Sequence, residues 1–420
     1  MVAGQFVGLR GLSNSFGTAF THVVRTPAGE RFFPKARSHA MFRALNVSRE
    51  VGFDAFASFL SILGAELAAA IQLSGGGLRL RTRVASANRG PDGLWEVELV
   101  DELTGRTEVQ LARKLVATFG AEEFTLKDRL VGNSQVNFSR WYASRCPGTS
   151  GRCPTVWKSS EDFRSPERFT ATFENAEVVV VGGAHSAFGV ANLLGGMDKN
   201  ITVSMIIRST PRLFYYSAAE AAAANYSFAE DDVCPLTGRV NRFSGLRAGP
   251  RERSLDATRG RPSAGLRRIS VVPDGDAAVQ SALGRAAAIV TAVGHGARVP
   301  PIRIINQTVR FAYGDDGQIN TLAGSVRTVS HGPVETLIMF GLGAGWGILP
   351  AWGGEPRLLG KGRADGVWIY QFDMGDVVLG QLMGEGGRSS SWKRIYSQKA
   401  VKATSATPMH HLGGDDMFTV

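Results

Sequence analysis

The sharpest chemical signal in the chain is a six-residue loop, Gly182-Gly183-Ala184-His185-Ser186-Ala187, directly after the apolar run Val178-Val179-Val180-Val181. A continuous β-branched run of that length reads as a strand buried in a parallel sheet. Glycines at its end, with a helix following, offer backbone N–H groups and the positive end of a helix dipole, which the pyrophosphate of a dinucleotide requires. Gly182 supplies the tight turn. Ala184 occupies the second glycine position of the GxGxxG/A fingerprint, and Ala187 the third, where helix and strand pack closely. The Ala184 methyl points to where a pyrophosphate would lie, which predicts a longer approach or a tilted ligand. Arg208 stands 26 residues after Gly182, at the end of a second apolar run from Ile201 to Ile207. An acidic residue there would bind a ribose 2′-OH, whereas arginine accepts a 2′-phosphate, so the expected ligand is NADP(H).

Other reactive side chains point to less. His185 has two readings, a contact to phosphate or nicotinamide and a helix-start histidine without a chemical role. His295 reads as structural, and His410-His411 has no third ligand nearby, so no metal site is expected. Ser186 lacks the GxSxG context of a hydrolase nucleophile. Asp373 and Asp376 read as surface charges, and no catalytic residue is assigned.

The elements that must position the loop follow from periodicity. Phe53, Phe56, Leu60, Leu63, Leu67 and Ile71 recur every three or four residues, which predicts an amphipathic helix ending near Gly75-Gly76-Gly77. Leu78, Leu80, Thr82 and Val84, then Trp95, Val97 and Leu99, then Val109 and Leu111 alternate with polar residues across turns at Pro91-Asp92-Gly93 and Thr104-Gly105. They predict a three-stranded antiparallel meander running into a buried strand at Leu115-Val116-Ala117. Residues 120–170 read as irregular. Strand, glycine loop, helix and strand from 177 to 207 form a βαβ unit. Ala218 to Ala224 reads as a short helix, and 229–285 as a polar, Arg-rich excursion. Ala288 to Val293 reads as a further buried strand, the chain continues through Thr336 to Phe340 into the glycine-rich stretch Gly341 to Gly347, residues 1–45 show no period, and the tail beyond Ser389 reads as a mobile terminus.

Composition bounds the function classes. The chain has 420 residues, 44% hydrophobic and 20% charged, which is globular, and its 51 glycines against 17 prolines point to tight turns rather than low-complexity linker. Its net charge of +10 is scattered, and the loose cluster from Arg247 to Arg268 has no interleaved aromatics, so it reads as a solvated loop and not as a nucleic-acid surface. Three cysteines, Cys146, Cys153 and Cys234, make no disulfide framework, and a reducing compartment is expected. Thr336 to Trp352 is too short and too glycine-broken for a membrane helix, and the N-terminus shows no secretory pattern, so a cytoplasmic location is expected.

Val178 to Leu194, VVVVGGAHSAFGVANLL, resembles the NADPH-binding segment of the flavin-containing monooxygenases and their relatives with two dinucleotide-binding domains. Lys158 to Arg164 resembles the HSxxF segment of that family, Thr291-Ala292-Val293-Gly294-His295 its second ATGY-like element, and Leu115 to Gly120 the stretch ending in its first ATG. The likeness covers roughly residues 50 to 385. It implies an α/β fold, with a Rossmann-like NAD(P)-binding domain inserted into an incomplete FAD-binding-type α/β domain that carries the antiparallel meander. The implied division is 1–170 for the first part of the FAD-type domain, 171–330 for the NADP-binding domain, and 331–420 for the return and tail. It further implies FAD and NADP(H) as cofactors and hydride transfer from NADPH to flavin, with oxygen activation able to follow, on a small-molecule substrate. Cofactor contacts are implied at Gly182, Gly183, Ala184, His185, Ser186, Ala187, Arg208, Thr118 and Gly294.

Three features depart from that pattern. No GxGxxG occurs in residues 1–60, Phe119 interrupts the first ATG, and Lys158 or Ser159 replaces the signature histidine. The first βα unit of the FAD-type domain is therefore read as missing, and low FAD occupancy is expected. The alternative reading is a non-catalytic or truncated nucleotide-binding remnant.

Overall fold

The computed structural model describes residues 27–40, 53–127, 129–146, 153–158, 173–197, 200–314, 318–322, 324–330, 332–341, 344–347, 354–358, 362–363 and 382. Two short helices, α1 (Pro27–Phe32) and α2 (Pro34–Ser38), precede the long helix α3 (Phe53–Leu73). Glu66 on α3 accepts the backbone N–H groups of Lys35 and Ala36 at 2.7 and 2.8 Å, satisfying the orphan donors at the start of α2.

The meander follows as β1 (Thr82–Arg89), β2 (Trp95–Asp101) and β3 (Thr107–Ala112), paired antiparallel. Leu78 and Leu80 lie before β1 and are exposed, so their alternation overstates the strand's length. β12 (Ile302–Ile304) adds to β1 in parallel, and β13 (Gln307–Thr308) closes that five-stranded sheet. β4 (Leu115–Ala117) leaves for another sheet, pairing in parallel with β16 (Gly332–Met339). That six-stranded sheet also holds β14 (Ile319–Leu322), β15 (Ser325–Thr328), β17 (Ala344–Gly347) and β18 (Gly362–Arg363). Trp95 ties the two sheets together: it is fully buried in their shared core, and its indole N–H donates to Thr336 Oγ1 at 3.1 Å.

The third sheet is entirely parallel. Its order is β6 (Thr155–Lys158), β10 (Ala288–Thr291), β7 (Glu177–Val181), β8 (Ile201–Ile206), β9 (Leu266–Val271). Val178, Val179 and Val180 of β7 are fully buried, because helices cover both faces. On one face lie α5 (His185–Gly195) and α7 (Ala248–Arg259), with Phe188 and Leu194 of α5 fully buried. On the other lie α4 (Phe138–Arg145) and α8 (Asp276–Arg285), which contribute Trp141 and Leu283. Each such side chain contributes roughly 1.5–3 kcal/mol by leaving water.

Three expectations are corrected here. Residues 120–170 contain β5 (Ala121–Glu123), α4 and β6 rather than only irregular chain. The Arg-rich stretch 229–285 is no excursion, because it supplies α7, β9 and α8 and completes the parallel sheet; Arg247 and Arg253 are buried, not solvated. Arg253 is held by Ser263 Oγ and, at 3.3 Å, by Asn192 Oδ1, polar partners that hydropathy cannot foresee. Cys146 and Cys153 form a disulfide across a separation of seven residues, so only Cys234 is a free cysteine among the described residues. The short helix α6 (Ala218–Ala223) forms where expected, capped by Ser217. Among the described residues no helix is long and apolar enough to cross a membrane.

Candidate nucleotide site

In chain order the parallel sheet grows from β7 to β8 to β9 on one side, and then β10 returns to the opposite side of β7. Order therefore reverses between β7 and β10, and in open α/β sheets the ligand crevice lies outside the carboxyl ends of the strands at such a point. Gly182 sits there. Its φ is +140°, and a Cβ at this position would lie 2.2 Å from the Ala292 carbonyl oxygen beyond β10, so only glycine allows the close approach. Its N–H donates to Ile206 O at 2.9 Å, and Ala292 N–H donates to Val181 O at 2.8 Å, which fixes the turn against both neighbouring strands. A Cβ on Gly183 would meet Ile207 Cγ2 at 3.3 Å.

Ala184 is the N-cap of α5, with φ −108° and ψ −173°, and no side chain caps the helix from that position. Alanine is a poor N-cap, so nothing on it competes with an anion for the first-turn N–H groups. Ala184 and Ser186 are exposed and His185 is half-buried, while Ala187 is fully buried against the sheet. A tight glycine turn packed against Ala292 and Ile207, and a helix start that Ala184 does not cap, together at a strand reversal, fit a dinucleotide pyrophosphate.

Arg208 follows β8 and is exposed. Its carbonyl accepts a hydrogen bond from Asn133 Nδ2 at 2.5 Å, and the loop carrying Asn133 is anchored by Gln135 N–H to Asp276 Oδ1 at 2.7 Å. Gly294 (φ +94°) follows β10, and its carbonyl accepts the Phe124 N–H at 2.9 Å, starting the β5 ribbon with β11 (His295–Ala297). The sheet thus gathers the turn, Arg208 and Gly294 at the carboxyl ends of β7, β8 and β10. Thr118 stands apart: it is exposed after β4, in the six-stranded sheet.

Two contributors escape sequence reading. Asn133 lies in a loop with no period. The other is Arg247, whose backbone N–H donates to His185 Nε2 at 3.1 Å, so that neutral His185 carries its proton on Nδ1. Its guanidinium lies 4.6 Å from the centroid of the Phe214 ring. Both contacts join residues far apart in the chain. Ser159 to Arg164 and the HSxxF likeness lie outside the described residues, as do His410-His411, Asp373, Asp376 and the tail beyond Ser389. Residues 1–26 and 41–52, most of the span read for an FAD-binding GxGxxG, lie outside them too. Among the described residues no group of three or more His, Cys, Asp or Glu side chains gathers as a metal site.

No protein-family model matches the chain. A relative from Streptomyces rubellomurinus, CMP-5′-(3-aminopropyl)phosphonate hydroxylase, is 31% identical over 408 residues, covering 88% of this chain and 85% of the relative. The chain belongs to the flavin-containing monooxygenase-like oxidoreductases with two dinucleotide-binding domains. The fold of this monooxygenase-like protein is also that of the FAD-bound cadaverine monooxygenase of desferrioxamine biosynthesis from Erwinia amylovora. That structure has a TM-score of 0.51 at 13% identity and covers 91% of this chain and 85% of its own. The α/β architecture implied by the sequence resemblance is therefore the architecture of the chain.

Proposed function

We propose that this oxidoreductase is an NADPH-dependent flavoprotein hydroxylase. The observation that carries the reading is the glycine turn with its helix start free of a side-chain cap, at the strand reversal between β7 and β10, with Arg208 at the end of the adjacent β8. Gly182 and Gly183 let the backbone approach the pyrophosphate, the first-turn N–H groups of His185, Ser186 and Ala187 stabilise its charge, and Arg208 holds the 2′-phosphate. Ala184 sets the distance of approach. Gly294 keeps the chain beyond β10 clear of the nicotinamide half. Thr118 is assigned to the flavin side. Flavin, when bound, would supply the redox and oxygen chemistry, with NADPH as its source of hydride. The inserted nucleotide unit comprises the parallel sheet and its helices, with Thr155–Lys158 as its outermost strand.

The substrate class follows the relative's name: an amine-bearing phosphonate joined to a nucleotide. A net charge of +10 favours encounter with such an anion. Calorimetric titration of NADPH and NADH tests the cofactor half, and NADPH-dependent oxygen uptake with CMP-5′-(3-aminopropyl)phosphonate tests the substrate half. Equal binding of the two nicotinamides would contradict the first, and uptake unaffected by the substrate would contradict the second.

A further inference from the structure

Between β17 and β18, which pair antiparallel, the chain leaves the six-stranded sheet, and its described part, Gly354 to Leu358, docks on the nucleotide unit. Three polar attachments hold it. Gly354 N–H donates to Cys234 Sγ at 3.1 Å, and Arg357 pairs with Asp231 and Asp232, each at 2.7 Å. Glu355 is fully buried, and its carboxylate accepts the backbone N–H of Phe243 (2.9 Å to Oε2), the backbone N–H of Ser244 (2.9 Å) and the Ser244 hydroxyl (2.8 Å). A buried carboxylate with that many donors is a strong local anchor.

The anchored segment leads to the nucleotide turn. Three residues beyond Ser244, the Arg247 N–H donates to His185 Nε2, and His185 is the first residue of α5. Between them Leu246 N–H donates to Arg212 O at 2.7 Å, four residues past Arg208, and Gly245 packs so closely on Phe214 that a Cβ would lie 2.4 Å from its backbone nitrogen. The segment therefore has little freedom to absorb a displacement at Ser244. We propose that Glu355 is a positioning residue for the nucleotide turn, acting through Phe243–Arg247 and His185 to hold the first turn of α5 from the neighbouring sheet. The consequence for cofactor affinity rests on the nucleotide reading above, whereas the mechanical coupling does not.

The test uses the full chain. Amide hydrogen exchange is measured without ligand on wild type, Glu355→Gln and Glu355→Ala, and NADPH is titrated into each. Glu355→Gln keeps the shape and one acceptor, so it reports even if the alanine variant does not fold. Faster exchange is expected over 241–247 and also over 184–188, with NADPH affinity falling about three- to tenfold, the size of losing one or two hydrogen bonds. On a His185→Ala background the Glu355 change should add no further loss. Faster exchange confined to 241–247, or fully additive losses in the double variant, would overturn the coupling. If wild type binds no NADPH while exchange still spreads to 184–188, the coupling stands and the nucleotide reading fails.

Discussion

Replacing Ala184 by aspartate separates helix capping from anion binding at one position. Ala184 is exposed and starts α5 without a side-chain cap. An aspartate there can accept a first-turn N–H, which is worth about 0.5–2 kcal/mol, and its charge gains a further 0.3–1 kcal/mol or so from the helix dipole. For a unit of this size the ligand-free protein should gain roughly 2–4 °C in Tm per kcal/mol. The same carboxylate sits where the pyrophosphate is proposed to lie. A like charge at about 5 Å, with an effective dielectric constant of about 20, costs about 3 kcal/mol, close to a hundredfold in Kd. Stability should rise while NADPH affinity falls, and Ala184→Asn, which caps without charge, should show the first effect with a much smaller second one. Differential scanning calorimetry and NADPH titration on the three proteins provide the readings. A stabilised Ala184→Asp protein that binds NADPH as well as wild type would refute the placement of the pyrophosphate at the start of α5.

Arg208→Ala should lower NADPH affinity roughly ten- to a hundredfold and leave NADH unchanged, as titration of both cofactors would show. Ala184→Gly should tighten NADPH binding by about 1 kcal/mol by removing the methyl, whereas weaker binding in calorimetry would mean the turn holds its ligand in another geometry. Gly182→Ala should cost more than about 3 kcal/mol, since its Cβ meets the Ala292 carbonyl oxygen at a φ of +140°; a Tm within a degree or so of wild type would count against the close packing. The N–H groups of Thr104 and then Leu103 hold the Asp101 carboxyl below its ordinary range. A lowered folded pKa adds stability above the unfolded value of about 3.9 that is lost as pH falls through the folded value. The stability gap between wild type and Asp101→Asn should therefore be steady near neutrality and close in acid, as denaturant titrations at several pH values would show.

The parts of the fold that sequence reveals are those whose order is local. The β-branched run of β7, the helical spacing of α3 and the alternation of β2 each carry their period within a few residues, and each forms where that period says. The stretch 229–285 hid its helices and strand because its core contribution is spread among arginines: Arg253 is buried by virtue of Ser263 and Asn192, and hydropathy counts it as surface. Of the proposed site, Gly182 and Arg208 can be read from the sequence because a tight turn and a charge depend on residue type alone. Asn133 and Arg247 cannot, because each acts through one hydrogen bond to a residue more than sixty positions away, a separation no local period encodes. Glu355 belongs with them: its role comes from convergence on Phe243 and Ser244 and not from any pattern around it.

The most direct test of the central claim is anaerobic mixing of the FAD-loaded protein with NADPH while the visible flavin band is followed. Rapid bleaching by NADPH, much slower bleaching by NADH, and loss of that preference in Arg208→Ala are the predicted results. A flavin band that persists while NADPH is bound in excess would contradict hydride transfer between the two cofactors.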